Sequence, residues 1–146
     1  AIQIVHSAFK DTSDALFDPR FKTEEGTRDI LSKIIDSVYG EFLSEFVGVL
    51  TFEGKLCGLC FVNITADSIA NIPIFAISPE HQGKGLSKHL LKQSLQNLSD
   101  WVNSGKKNFT EINTTTETDN YQALKMYRGL GFKEDYCYPQ AYLPIE

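Results

Sequence analysis

The sequence predicts a mixed α/β layer, helices packed on a central sheet, and three observations predict it. Apolar residues keep a 3.6-residue period from Ile30 to Val38 and again from Leu86 to Val102. β-branched and aromatic residues flank a tight-turn pair, Glu53-Gly54. Strand-like and helical segments then alternate towards the end of the chain. At 146 residues the length is that of one domain, large enough to bury a core without disulfides or metal.

The elements follow in order. Ile2, Val5 and Phe9 form a short helical stripe that stops at "DTSDALFDPRF", a loop rich in turn formers with Pro19 in it. Thr23 followed by Glu24 and Glu25 starts the next helix, with acid in its first turn, and Ile30, Leu31, Ile34, Ile35 and Val38 carry it to Gly40. Phe46 to Leu50 and Leu56 to Ile64 read as an antiparallel hairpin, and Ser68 to Ile77 as a third strand. Leu86, Leu90, Leu91, Leu95 and Leu98 place a long amphipathic helix before Asn103-Ser-Gly105. Phe109 to Thr114 is strand-like. Tyr121 to Leu130 is a helix capped by Asp119 or Asn120 and stopped by Gly131, and the chain from Phe132 is β-like. Strands joined across the long helix should run parallel.

Composition excludes several classes of function. A net charge of −5 argues against general nucleic-acid binding, which needs a basic face. No apolar run approaches the roughly 18 residues of a membrane span. Three cysteines are an odd number, and with no signal-peptide pattern the expected compartment is the cytoplasm. Cys57 and Cys60 are three residues apart on a strand, hence on opposite faces, which suits neither a redox pair nor half a zinc site. With Cys137 they read as buried or half-buried small residues, and no metal is expected.

The stretch "IFAISPEHQGKGLSKHLL" carries the functional signal. A helix start exposes unpartnered N–H groups and partial positive charge, so it holds an anion well. Gly83 and Gly85 clear the approach to those amides, and Lys84 adds a full charge. Lys84, Lys88 and Lys92 make a basic stripe that is equally well a solvent face. A phosphate loop of the G-x-x-x-x-G-K type fails here, because Ser78 stands where its first glycine should be. A dinucleotide fingerprint fails at Lys88.

The run Gln82-Gly-Lys-Gly85-Leu-Ser87 resembles the acyl-CoA signature of the GNAT superfamily of N-acetyltransferases, with Ser87 where the family has Gly or Ala. "NYQALKMYRGLGF" resembles the family's second motif, with Asn120, Ala123, Tyr127, Gly131 and Phe132 in register. The resemblance implies a GNAT-like mixed sheet flanked by helices, running from about Leu16 to Tyr138. It also implies an opening strand that is missing here. Residues 1–146 therefore read as a single GNAT-like domain that has lost that strand or is part of a longer chain.

The same resemblance implies acetyl transfer from acetyl-CoA, as co-substrate, to the primary amine of a small molecule or peptide, with no nucleic-acid or membrane partner and a homodimer left open. Gln82, Gly83, Lys84, Gly85, Leu86 and Ser87 would hold the pyrophosphate. The pantetheine arm would lie like an added strand beside Phe75, Ala76 and Ile77, with the Ile77 N–H polarising the thioester carbonyl. Asn120 would bond the cofactor's amide arm. Tyr127 would be the general acid, its phenol protonated at neutral pH and matched to a leaving thiolate. The base stays open among Glu111, Glu41 and Glu45. His81 reads as a solvent-facing residue or a cofactor contact. Asp18, Glu24, Glu25, Glu41 and Glu45 are the acids expected to suit a cationic acceptor. The rival reading is a catalytically idle GNAT-like domain that binds CoA as a sensor or supports a partner domain.

Overall fold

The computed structural model describes residues 1–65, 69–105, 109–137 and Pro139. Four helical pieces come first: α1 (Ile2–Phe9), α2 (Asp14–Phe17), a 3₁₀ turn over Pro19–Lys22, and α3 (Glu24–Ile35). The segment expected to be loop therefore contains α2 and the 3₁₀ turn. Thr23 caps α3 as expected, its hydroxyl accepting from the Gly26 N–H at 3.0 Å. The helix ends five residues before Gly40, because Ser37 turns to a φ of +60° and takes Val38 out to solvent.

Six strands follow before the long helix: β1 (Glu41–Phe42), β2 (Gly48–Phe52), β3 (Lys55–Cys60), β4 (Asn63–Ile64), β5 (Ile69–Ile72) and β6 (Phe75–Ile77). Then come α4 (Leu86–Asn103), β7 (Glu111–Thr114) and α5 (Tyr121–Gly129). Glu53 and Gly54 both have positive φ, +49° and +75°, which is how a two-residue turn matches the twist of its hairpin. Phe46, expected in the first hairpin strand, lies in a 3₁₀ turn with its ring 4.5 Å from that of Trp101. Ser68, the expected start of the third strand, and the tail beyond Cys137, Pro139 apart, lie outside the described residues. Among those described, residues 132–137 form no strand.

The mixed α/β class stands, but the sheet is parted in two: β1-β4-β5-β7 and β2-β3-β6. The parting is a change of register. Three steps along one strand, from Cys60 to Asn63, face four along its partner, from Phe75 back to Asn71. The extra residue falls at Pro73-Ile74, where proline has no N–H to give a ladder. β5 and β7 run parallel, paired from Ile69↔Glu111 to Ile72↔Thr114, with α4 between them in sequence.

Beyond Ile72 and Thr114 the two lines separate. β6 follows β3, and the chain after β7 turns towards α5. β6 is left with one edge unpaired. Leu90, Leu91 and Leu98 of α4 pack beneath it with Cys60, Ile72, Ile77 and Tyr127, while α1 and α3 cover the other face through Val5, Ile30, Ile34, Phe61 and Ala76. Each fully buried leucine contributes about 2 kcal/mol by removal from water.

Candidate active site

β6 lies at the edge of its sheet, with β3 its neighbour. The Phe61 N–H bonds the Ile74 carbonyl at 2.9 Å, and the Ser78 N–H bonds the Cys57 carbonyl at 2.8 Å. Antiparallel bonding alternates, so Ile74, Ala76 and Ser78 direct their backbone groups to β3. Phe75 and Ile77 direct theirs to the open side. These two are the residues expected to receive the pantetheine arm, and their backbone is the part of β6 that faces its unpaired edge.

β6 passes into a 3₁₀ turn, Pro79–His81, and then into the glycine loop. Buried Ser78 holds that turn, its Oγ 2.8 Å from His81 Nδ1. The His81 ring packs against Phe52 at 5.4 Å, so His81 is a wall of the turn rather than a solvent-facing residue. Gln82 folds back, its Nε2 donating to the Ile77 carbonyl at 2.9 Å. Gly83 and Gly85 have φ of +74° and +75°, and a Cβ built on either meets nothing within 4 Å. The conformation explains both glycines, and the space around them is open.

Gly85 is the N-cap of α4 and supplies no side-chain cap. The first amide of this region with a protein acceptor is that of His89, which bonds the Gly85 carbonyl at 3.4 Å. Among the described residues the N–H groups of Gly83, Lys84, Gly85, Leu86, Ser87 and Lys88 have none, and no acid stands in the helix's first turn. Lys84 stands 6.0 Å over the Phe52 ring, while Lys88 and Lys92 are exposed along α4. This donor set, positively biased and unobstructed, fits a diphosphate.

Tyr127 lies on the inner face of α5, 8% exposed. Gly131, at φ +94°, ends α5, and its N–H bonds the Arg128 carbonyl at 3.1 Å. Burial raises the phenol's pKa, a hydrogen bond with Thr114 works against that, and Cys60 and Asp14 add smaller upward pushes. Asn120 is the N-cap of α5, its side-chain oxygen accepting from the Ala123 N–H at 3.1 Å, which leaves its NH₂ free for another partner.

Acidic residues gather where the start of α2 meets the loop before α5, and they are not the ones expected. Ser13 donates to both carboxylate oxygens of Asp119 at 2.7 Å, which docks the start of α2 against the loop before α5. Glu117 is near enough to feel them: its carboxyl is raised by burial and, to a smaller extent, by Asp14 and Asp119. Asp18 is instead committed to Arg20 at 2.7 Å. Glu111 stands at the far end of β7 from Thr114, about 10 Å along the strand. Glu41, on β1, is separated from β7 by β4 and β5. Asp14, Thr114 and Glu117 were missed by sequence reasoning. The signal available for Glu117 was its place three residues before Asn120. Among the described residues no group of His, Cys, Asp or Glu could hold a metal ion, and no helix is long and apolar enough to cross a membrane.

A family model described as the acetyltransferase (GNAT) domain matches residues 43–134, well over half of the chain and including both motifs. The chain belongs to the GNAT acetyltransferase family. This GNAT chain is 29% identical over 79 residues to mycothiol acetyltransferase of Mycolicibacterium gilvum (strain PYR-GCK). The match takes in 54% of this chain and 26% of that protein, about a quarter of the relative's length. Among solved structures, PH1933 from Pyrococcus horikoshii OT3 superposes with a TM-score of 0.71 at 17% identity, over 95% of this chain and 85% of that one. An aminoglycoside N-acetyltransferase in complex with CoA gives 0.60 at 13% identity, over 98% and 91%. At these identities the structural likeness establishes a GNAT fold.

Proposed function

We propose that the protein is an acetyl-CoA-dependent N-acetyltransferase that moves the acetyl group to a primary amine by direct attack, with Tyr127 as general acid. One observation carries the proposal. The outward backbone of Phe75 and Ile77 leads straight into six unpartnered amides, and Tyr127 packs in the same core cluster as Phe75 and Ile77. Acetyl-CoA supplies an acyl group activated as a thioester. Gln82 to Ser87 hold its diphosphate, Phe75 and Ile77 hold its arm as an added strand, and the Ile77 N–H faces the carbonyl oxygen.

Tyr127 is raised by burial, hence fully protonated at neutral pH, and gives its proton to the departing sulfur. On the acceptor side Asp14, Glu117 and Asp119 make a negative wall that draws a cationic amine. Glu117, held above the usual carboxylate range, takes the amine proton directly or through water. The aminoglycoside acted on by one structural neighbour is a polyamine of the matching sign.

The test follows free thiol released from acetyl-CoA with a panel of amines. Tyr127→Phe should lower kcat about 100-fold while KM for acetyl-CoA stays within twofold, the range of a lost general acid. CoA binding without turnover over a wide panel would establish the sensor reading instead. Unchanged kcat in Tyr127→Phe would remove Tyr127 from the chemistry.

A further inference from the structure

Phe52 is the last paired residue of β2, opposite Lys55 at the hairpin turn, and it is 44% exposed. Two contacts take its ring out of the hairpin. It meets the His81 ring edge-on at 5.4 Å, and the Lys84 Nζ stands over it, 6.0 Å from its centroid. His81 is itself fixed: its Nδ1 lies 2.8 Å from the Oγ of buried Ser78, whose N–H bonds the Cys57 carbonyl on β3. The hairpin tip and the turn after β6 are thus joined through one ring.

Lys84 leaves the loop between two glycines around which the space is open, and among the described residues it forms no ion pair. Glu80, the nearest acid in sequence, lies 3.6 Å from His81 Nδ1 instead. A freely moving lysine loses rotamer entropy when it binds an anion. A carboxylate beside it would hold it in advance but cancel its charge. An aromatic face holds the cation through the ring quadrupole and leaves that charge whole. We infer that Phe52 is a positioning residue for the cofactor: its ring holds the Lys84 ammonium beside the open amides, ready for the diphosphate of CoA. This inference rests on the reading of Gln82 to Ser87 as the diphosphate site.

The experiment titrates the full chain with CoA by calorimetry in low salt. It compares wild type with Phe52→Leu, Phe52→Trp, Lys84→Met and the double variant Phe52→Leu/Lys84→Met. Leucine keeps an apolar side chain at the hairpin tip and removes the ring. Phe52→Leu should therefore weaken CoA binding about threefold, the scale of an exposed cation–π contact. Phe52→Trp, with the stronger π face, should bind at least as tightly as wild type. Lys84→Met should bind more weakly than Phe52→Leu, and Phe52→Leu should add no loss on top of it, since the ring acts through the ammonium. A ring that only packs against His81 would give the same loss with and without Lys84.

Wild-type affinity in Phe52→Leu, equal losses in both backgrounds, or a Phe52→Trp variant as weak as Phe52→Leu would overturn the inference and leave the diphosphate site intact. A wild-type chain that does not bind CoA would overturn both. If Phe52→Leu does not fold, Phe52→Met serves in every arm with the same outcomes.

Discussion

Phe132 returns to Tyr127 twice: its N–H bonds the Tyr127 carbonyl at 3.1 Å, and its ring packs edge-on against the phenol at 5.3 Å. The spacing Tyr-x-x-x-Gly-Phe therefore has a mechanical meaning. Gly131 in the left-handed region lets the chain double back, and the residue after it lands on the last turn of α5. Phe132→Ala should cost about 2 kcal/mol of stability for a half-buried ring and, by freeing the phenol, lower kcat more than it raises KM. Phe132→Tyr, which keeps the ring, should approach wild type in both. Thermal melts alongside steady-state kinetics decide this, and a stability loss with unchanged kcat would mean that the ring does not hold Tyr127.

Gly83 and Gly85 differ in kind from Gly26. A Cβ at either loop position meets no atom, so alanine there suffers only the left-handed strain, about 1–2 kcal/mol. A Cβ on Gly26 would sit 2.3 Å from the Arg20 carbonyl, and backbone cannot yield cheaply. Gly26→Ala should therefore be the less stable variant, by about 3 kcal/mol, with acetyl-CoA affinity per folded molecule preserved. Gly85→Ala should stay folded and bind CoA at least tenfold more weakly, because strain relief tilts amides meant for the diphosphate. Calorimetric titration with CoA separates the two. Equal weakening in both would break the distinction.

Local signals were legible in the sequence and tertiary meetings were not. Thr23, Glu53-Gly54, Asn120 and Gly131 each act within a few residues of themselves, and each performs the capping or turning its residue type suggested. The missing N–H of Pro73 marks in the sequence a place where pairing lapses, but the change of register there is a relation between strands, visible only once Cys60 and Phe75 are paired. α2 is four residues long, too short to show a period. Ile35 and Val38 continue the apolar spacing of α3, yet both are exposed because the helix stops beneath them. The acidic wall joins Ser13 to Asp119, 106 residues apart, whereas Asp18 is neutralised by a partner two residues away. The glycine loop was readable for the opposite reason: its amides, its glycines and its strand are consecutive.

Cysteine accessibility gives a third test. Cys57 and Cys60 are fully buried, while Cys137, read from the sequence as at least half-buried, is exposed. Burial also pushes the Cys60 thiol up to about 11, against a smaller opposing hydrogen bond from Ser94. A thiol-reactive chromophore at pH 8 should therefore label one cysteine rapidly in the native protein and all three only in denaturant. Cys137→Ser should abolish the fast phase without loss of activity, since nothing in the proposed chemistry uses it. A fast phase that survives this change would place Cys57 or Cys60 within reach of solvent.

The pairing of Asp18 with Arg20 sets a fourth. Asp18 accepts from the Arg20 guanidinium at 2.7 and 2.9 Å and caps the 3₁₀ turn through the Arg20 N–H at 3.2 Å. The side-chain bond to Arg20 is the main reason its carboxyl lies below the ordinary 3.8, with burial opposing. The folded carboxylate thus binds its proton less readily than the unfolded one. Its stabilising share is complete above pH 3.8 and drains away as pH falls through the lower folded value. Both partners are about one-third exposed, so solvent screening limits the pair to about 1 kcal/mol. Arg20→Met should accordingly destabilise by about that amount at pH 7 in low salt. The gap to wild type should narrow as urea melts are taken from pH 5 towards pH 2, as the folded carboxylate begins to take up its proton. A gap that stayed constant with pH would mean that Arg20 acts by packing its methylenes against α3, and that its charge contributes nothing measurable.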